Sequence, residues 1–111
     1  LLALGDALRQ RGLAVVTTRE PGGSEGAEAI RRLLLEGGED RWSARAEALL
    51  FAAARTSHVD DTIRPALGRG EWVLCDRFLD SSLAYQGGAG GLGIDEVRAL
   101  NLFGVGDCLP D

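Results

Sequence analysis

Two stretches of this chain carry charged side chains directly after apolar runs, which is where an α/β protein displays chemistry. Trp72-Val73-Leu74-Cys75 runs without a charge into Asp76-Arg77. Leu13-Ala14-Val15-Val16-Thr17-Thr18 runs likewise into Arg19-Glu20-Pro21-Gly22-Gly23. If both runs are buried parallel strands, Asp76, Arg77 and Arg19 share the rim at the carboxyl ends, where open parallel sheets bind ligands. A planar guanidinium grips a phosphate through paired hydrogen bonds, so two arginines on one rim point to a phosphate group. The glycines after Pro21 let backbone N–H groups approach an anion, and a helix beginning beyond them aims its positive end there. Each stretch has a plainer reading by itself: a strand-end ion pair for Asp76-Arg77, a surface arginine on a plain turn for Arg19. Their pairing favours a ligand site.

Further candidates lie on helices. Phe51 and Arg55 are one turn apart and share a face. That face suits a ring stacked on a base and a guanidinium bonded to the base edge. The residue types alone favour the plainer alternative, a core aromatic and a solvated arginine. His58 is the only histidine. With no second metal ligand near it in sequence, it reads as structural or surface. Tyr85 and Gln86 end a helix-capable segment beside Gly87-Gly88-Ala89-Gly90-Gly91, as pocket lining or as a C-cap contact. Cys75 and Cys108 have neither metal nor redox spacing.

The elements that must position these residues follow from periodicity and punctuation. Leu1, Leu4 and Leu8 mark a helix that stops at Gly12. The Leu13 to Thr18 run and the Trp72 to Cys75 run are continuously apolar, as strands buried on both faces are. Ser24 is placed to cap a helix with the stripe Ala27, Ile30, Leu33 and Leu34. Ser43 is placed to cap a long helix from about Ala44 to Ile63, with Leu49, Leu50, Ala53 and Ala54 buried, and Pro65 kinks or restarts it. The glycine run after Gln86 reads as a mobile loop. Asp95 is expected to cap a last helix through Val97, Leu100 and Phe103. A helical crossover makes the two strands parallel. Two parallel strands do not make an independently stable sheet, so further strands are expected from a longer chain or a partner.

Composition bounds the remainder. The chain has 111 residues, of which 45% are hydrophobic and 26% charged, the range of one ordinary domain. Net charge is -5, which argues against nucleic-acid binding through a basic field. All 12 basic residues are arginine, the residue suited to bidentate phosphate recognition. No apolar run is long enough to cross a membrane, and Leu1-Leu2-Ala3-Leu4 lacks the basic flank of a signal peptide. A reduced, cytoplasmic protein is expected.

Taken in order, Thr18-Arg19-Glu20-Pro21-Gly22-Gly23, Ala46-Glu47-Ala48-Leu49-Leu50-Phe51-Ala52-Ala53-Ala54-Arg55, Ile63-Arg64-Pro65-Ala66-Leu67, Asp76-Arg77-Phe78 and Ser81-Ser82-Leu83-Ala84-Tyr85-Gln86-Gly87 resemble a thymidylate kinase across nearly the whole chain. The resemblance implies a P-loop-kinase-like parallel sheet with flanking helices, incomplete in this chain, which supplies only the second and third strands. Residues 1–111 would be the central part of a single nucleoside monophosphate kinase domain, carrying the acceptor-nucleotide half of the site. By this resemblance Phe51 stacks on thymine, Arg55 bonds its O4 and Ser82 meets the base edge. Tyr85 packs on the deoxyribose, with Gln86 nearby. Arg19 and Arg77 hold the dTMP phosphate, and Asp76 helps organise magnesium and the P-loop. The reaction implied is phosphoryl transfer from ATP, with Mg2+, to dTMP, in a homodimer. The family's G-x-x-x-x-G-K-[ST] loop and lid are not in this sequence, so this chain alone is expected to bind no cofactor and to be inactive. Two other readings stay open: a kinase for another nucleoside monophosphate, and a non-catalytic nucleotide-binding or regulatory fragment.

Overall fold

The structure is a computed structural model and describes residues 2–36, 41–77 and 93–110. Its elements are α1 (Leu2–Gln10), β1 (Val15–Arg19), α2 (Glu25–Leu35), α3 (Ala44–His58), a π-helical turn (Val59–Ile63), α4 (Arg64–Gly68), β2 (Trp72–Asp76) and α5 (Ile94–Val105). The strands pair in parallel, from Val15 opposite Trp72 to Arg19 opposite Asp76. Backbone bonds from Trp72 N–H to the Ala14 carbonyl and from Glu20 N–H to the Asp76 carbonyl extend the pairing at both ends.

Local chemistry sets the element boundaries. Gly12 takes φ +83°, and the Gly12 and Leu13 N–H groups bond back to the Arg9 and Leu8 carbonyls, closing α1 with a Schellman turn. Ser24 Oγ accepts from Ala27 N–H and Ser43 Oγ from Ala46 N–H, so both serines cap their helices as the sequence predicts. The last helix differs. Gly93 is its N-cap and makes no side-chain cap bond, while Asp95 lies inside the first turn. There the carboxylate acts on the helix dipole rather than as a cap.

The long helix expected from Ala44 to Ile63 is broken. After His58 the chain widens into the π turn, and Arg64 N–H bonds to the Val59 carbonyl. Pro65 has no N–H for the α pattern and sits in the first turn of α4, where none is required. The wide turn brings Val59 and Ile63 together with Val105 as the apolar core, against which Val73, Leu102 and Cys108 pack. Arg64 then ties α4 to the end of α5, donating from Nη2 to the Val105 carbonyl at 2.6 Å and to Asp107 at 3.0 Å. That guanidinium holds the Asp107 carboxyl below its ordinary range.

The helices approach closely because small residues line their contacts. Ala27 on α2 and Ala48, Ala52 and Ala54 on α3 are buried, and a Cβ on Gly104 of α5 would run into Thr56. The buried side of α3 is therefore set by alanines with Arg55 and His58, whereas the predicted Leu49 is 54% exposed and Ala53 is exposed. On α5 the buried stripe is Val97, Asn101 and Val105, and the predicted Phe103 is 91% exposed. The strand interiors are half-buried rather than fully buried. Among the described residues the sheet has two strands with no third strand on either edge, and the described helices cover it incompletely.

Candidate functional site

The parallel register sets the rim. Arg19, the last residue of β1, is the partner of Asp76, the last residue of β2, and Arg77 follows immediately. All three are exposed. Arg77 has φ +67°, the left-handed region that residues other than glycine seldom occupy. Such conformations cluster where a side chain must be aimed for function. The structure thus brings together the three rim residues that the sequence singles out.

Behind the rim lies a polar group that the sequence reading did not find. Glu20 is 6% exposed, Arg55 3% and His58 0%. Arg55 donates from Nε to Glu20 Oε1 at 2.5 Å and from Nη1 to Asn101 Oδ1 at 2.7 Å. His58 Nδ1 lies 2.8 Å from Glu20 Oε2, and its Nε2 lies 2.7 Å from Thr18 Oγ1. The carboxylate only accepts, so Nδ1 carries a proton and donates. Arg55 is therefore not the solvated arginine of the plainer reading. Phe51, one turn before it on α3, is half-buried. His58, for which the sequence allows a structural or a surface place, is wholly interior. Asn101 is buried and also donates from Nδ2 to the Val97 carbonyl at 2.8 Å, fixing its amide. The one local signal for this group was a glutamate placed at a strand end before a proline; nothing in the sequence linked it to α5.

Gly23, the second glycine after Pro21, is tied into this interior. Gly23 N–H is taken by Glu28 Oε1 at 3.1 Å. A Cβ on Gly23, at φ +93°, would collide with the His58 ring and Thr18 Oγ1. The expectation that these N–H groups greet an anion is thus corrected at Gly23, because the helix's own acid reaches it first. Thr62 Oγ1 also donates to the Gly23 carbonyl, at 2.5 Å.

Ligand atoms of Glu20, His58 and Cys75 lie within 4.8 Å of one another, so the fold supplies the metal-ligand neighbours His58 lacks in sequence. The chemistry of the set disfavours a cation. Both Glu20 oxygens and both His58 nitrogens already have partners, and the Arg55 cation is adjacent. The Cys75 thiol is pushed up to about 12, chiefly by burial, with Glu20 adding to the rise and Arg55 offsetting part of it. A thiol held protonated is a poor ligand. Its Sγ lies 3.1 Å from the Arg77 carbonyl. Ser82, Tyr85 and Gln86, with the glycine loop after them, lie outside the described residues.

Parallel strands with charged residues at their carboxyl ends place the chain among the open-sheet α/β proteins, the class that binds ligands at that rim. Comparison narrows this class. The family model described as thymidylate kinase matches residues 2–111. The chain belongs to the thymidylate kinase family, whose members have the P-loop kinase fold, and it supplies two parallel strands and flanking helices of that fold. It is 71% identical over 109 residues to a protein named thymidylate kinase from Rhizorhabdus wittichii, matching 98% of this chain and 52% of the relative. Thymidylate kinases of Bacillus velezensis and Rhodopseudomonas palustris are 52% and 56% identical, over 100% and 97% of this chain and 52% and 47% of their own lengths. The chain spans about half the length of the curated relatives it matches. Among the described residues no helix is long and apolar enough to cross a membrane.

Proposed function

We propose that this chain forms the acceptor-nucleotide half of a dTMP kinase, within a single nucleoside monophosphate kinase domain, and that the full-length protein transfers a phosphoryl group from ATP to dTMP. The observation that carries this reading is the rim: Arg19 and Asp76 are register partners at two parallel strand ends, with Arg77 next in a left-handed conformation. Phosphoryl transfer requires positioning and charge neutralisation more than covalent chemistry. Arg19 and Arg77 offset the charge of the acceptor phosphate, so a second anion can approach it. Phe51 and Arg55, one turn apart on α3, take the base by stacking and by hydrogen bonding. Ser82, Tyr85 and Gln86 complete the nucleoside pocket.

Magnesium and ATP belong to the complete enzyme. Magnesium is ordinarily held by one or two carboxylates together with substrate phosphates. Asp76, an exposed carboxylate on the rim, fits that requirement. The metal would supply charge neutralisation on the donor phosphates, and Asp76 would orient its water shell. A homodimer is supported by the apolar outer side of α3 and α5. A shallow cleft of about 180 Å3 between them is lined by Leu49, Val97 and Leu100 together with Arg45 and Glu96, and Phe103 is nearly fully exposed one turn further on. The cytoplasm, where nucleotides and ATP are made and used, is the compartment that fits this activity.

Thermal shifts of the full-length protein with dTMP, dUMP, AMP and GMP test the reading. The largest shift is expected with dTMP. A larger shift with AMP or GMP would assign a different acceptor, and no shift with any nucleotide would point to a non-binding role.

A further inference from the structure

We propose that Glu20 is a positioning residue that locks the base-reading arginine to the phosphate rim. This rests on the dTMP-kinase reading given above and adds to it a residue that touches no substrate. Three bonds made by Glu20 tie it to two elements, α3 and β2. Its Oε1 accepts from Arg55 Nε on α3 at 2.5 Å, and its Oε2 from His58 Nδ1, one helical turn further along α3, at 2.8 Å. Its backbone N–H donates to the Asp76 carbonyl on β2 at 3.0 Å, and Arg19 precedes it on β1. The carboxylate is braced in turn, because His58 Nε2 is bonded to Thr18 Oγ1 on β1. On the other side, Asn101 from α5 takes Arg55 Nη1.

The guanidinium of Arg55 is thus fixed at two nitrogens before any ligand arrives, and one of its anchors is bonded directly to the rim. Fixing a long side chain in its binding geometry removes an ordering cost that the ligand would otherwise meet. A buried ion pair kept for stability alone gains little over apolar side chains of the same size. A buried pair between a strand end that meets phosphate and a helix that meets the base does what apolar residues cannot, because it sets the direction of a charged fork.

The test is a double-mutant cycle in the full-length protein, reading calorimetric affinity for dTMP and for thymidine. The variants are Glu20→Gln, Arg55→Met and both together. The amide of Glu20→Gln retains an oxygen for Arg55 Nε and offers an N–H to His58 Nδ1 in its other tautomer, so only the charge is lost. In the parent background the expected loss is about ten-fold for dTMP and for thymidine alike, the scale of one charge-assisted hydrogen bond. In the Arg55→Met background the same change should cost no further affinity. Equal losses in both backgrounds would overturn the proposal, because Glu20 would then act on the fold and not through Arg55. A loss confined to dTMP would overturn it too, by placing Glu20 at the phosphate. If Glu20→Gln fails to fold, His58→Gln, which removes only the brace, is read in the same cycle, with a smaller loss expected that again vanishes without Arg55. Normal dTMP binding by the parent with no effect of either variant sinks this proposal alone. A parent that binds neither ligand sinks the functional reading and this inference with it.

Discussion

Glu20 and Arg55 are charged partners in the interior, so each harms the fold most when left without the other. Glu20→Ala removes the carboxylate paired with the buried Arg55 cation, and breaking such a pair typically costs about 3–5 kcal/mol. Urea melts of the full-length protein should show a loss of that size, and a loss below about 1 kcal/mol would mean that water reaches the guanidinium. Arg77 offers a separate test. At φ +67° any side chain with a Cβ is strained, so Arg77→Gly should be more stable than Arg77→Ala by about 1 kcal/mol, while both lose affinity for dTMP and keep it for thymidine. The Cys75 thiol, pushed up to about 12 by burial first and Glu20 second, keeps its proton in the folded state while the unfolded thiol ionises near 9. Its contribution to stability is complete below that lower value and is lost as pH rises from about 9 to about 12. Cys75→Ser should flatten this part of a stability-against-pH curve; an unchanged slope would assign it to other groups. The rim residues Arg19, Asp76 and Arg77 were legible from sequence because each follows an apolar run. Glu20, His58 and Asn101 were not, because their partners are distant along the chain and only the fold brings them together.

The elements were legible where local chemistry decides them. Ser24 and Ser43 cap as their types predict, and Gly12 ends α1 in a Schellman turn. They were less legible where packing decides. Leu49 and Phe103 have core chemistry yet face outward, because alanines and Gly104 line the close helix contacts and the larger buried positions on α3 and α5 are taken by Arg55, His58 and Asn101. The π turn was hidden as well. Its only sequence mark is Pro65, which forbids one α bond without saying how the preceding turn adjusts. Gly23 is where strand, turn and helix meet. Its φ of +93° and the nearness of the His58 ring leave no room for a side chain, so Gly23→Ala should destabilise by about 1–3 kcal/mol. The same variant should displace His58 from Thr18, which the imidazole NMR shifts would report. Unmoved shifts with full stability would mean that the turn rearranges around the methyl group.

At the scale of the whole molecule, the two half-buried strands among the described residues do not by themselves account for an independently stable parallel sheet. A second cleft, of about 350 Å3, runs beside β2, where Trp72 is 53% exposed near Leu67 and Leu109. These apolar surfaces agree with a chain spanning about half the length of its relatives. On the proposed function, phosphoryl transfer is an activity of the full-length protein, and the 111 residues alone should form no dTDP from ATP and dTMP. The most direct measurement is the steady-state specificity constant of the full-length protein for dTMP, with ATP and magnesium, in the parent and in Arg77→Lys. The account predicts dTDP formation that favours dTMP over AMP and GMP. It also predicts a loss of about ten- to a hundred-fold on replacing the guanidinium fork by an ammonium, the scale of a charge-assisted hydrogen bond. Absence of dTDP, or an Arg77→Lys protein as active as the parent, would contradict it.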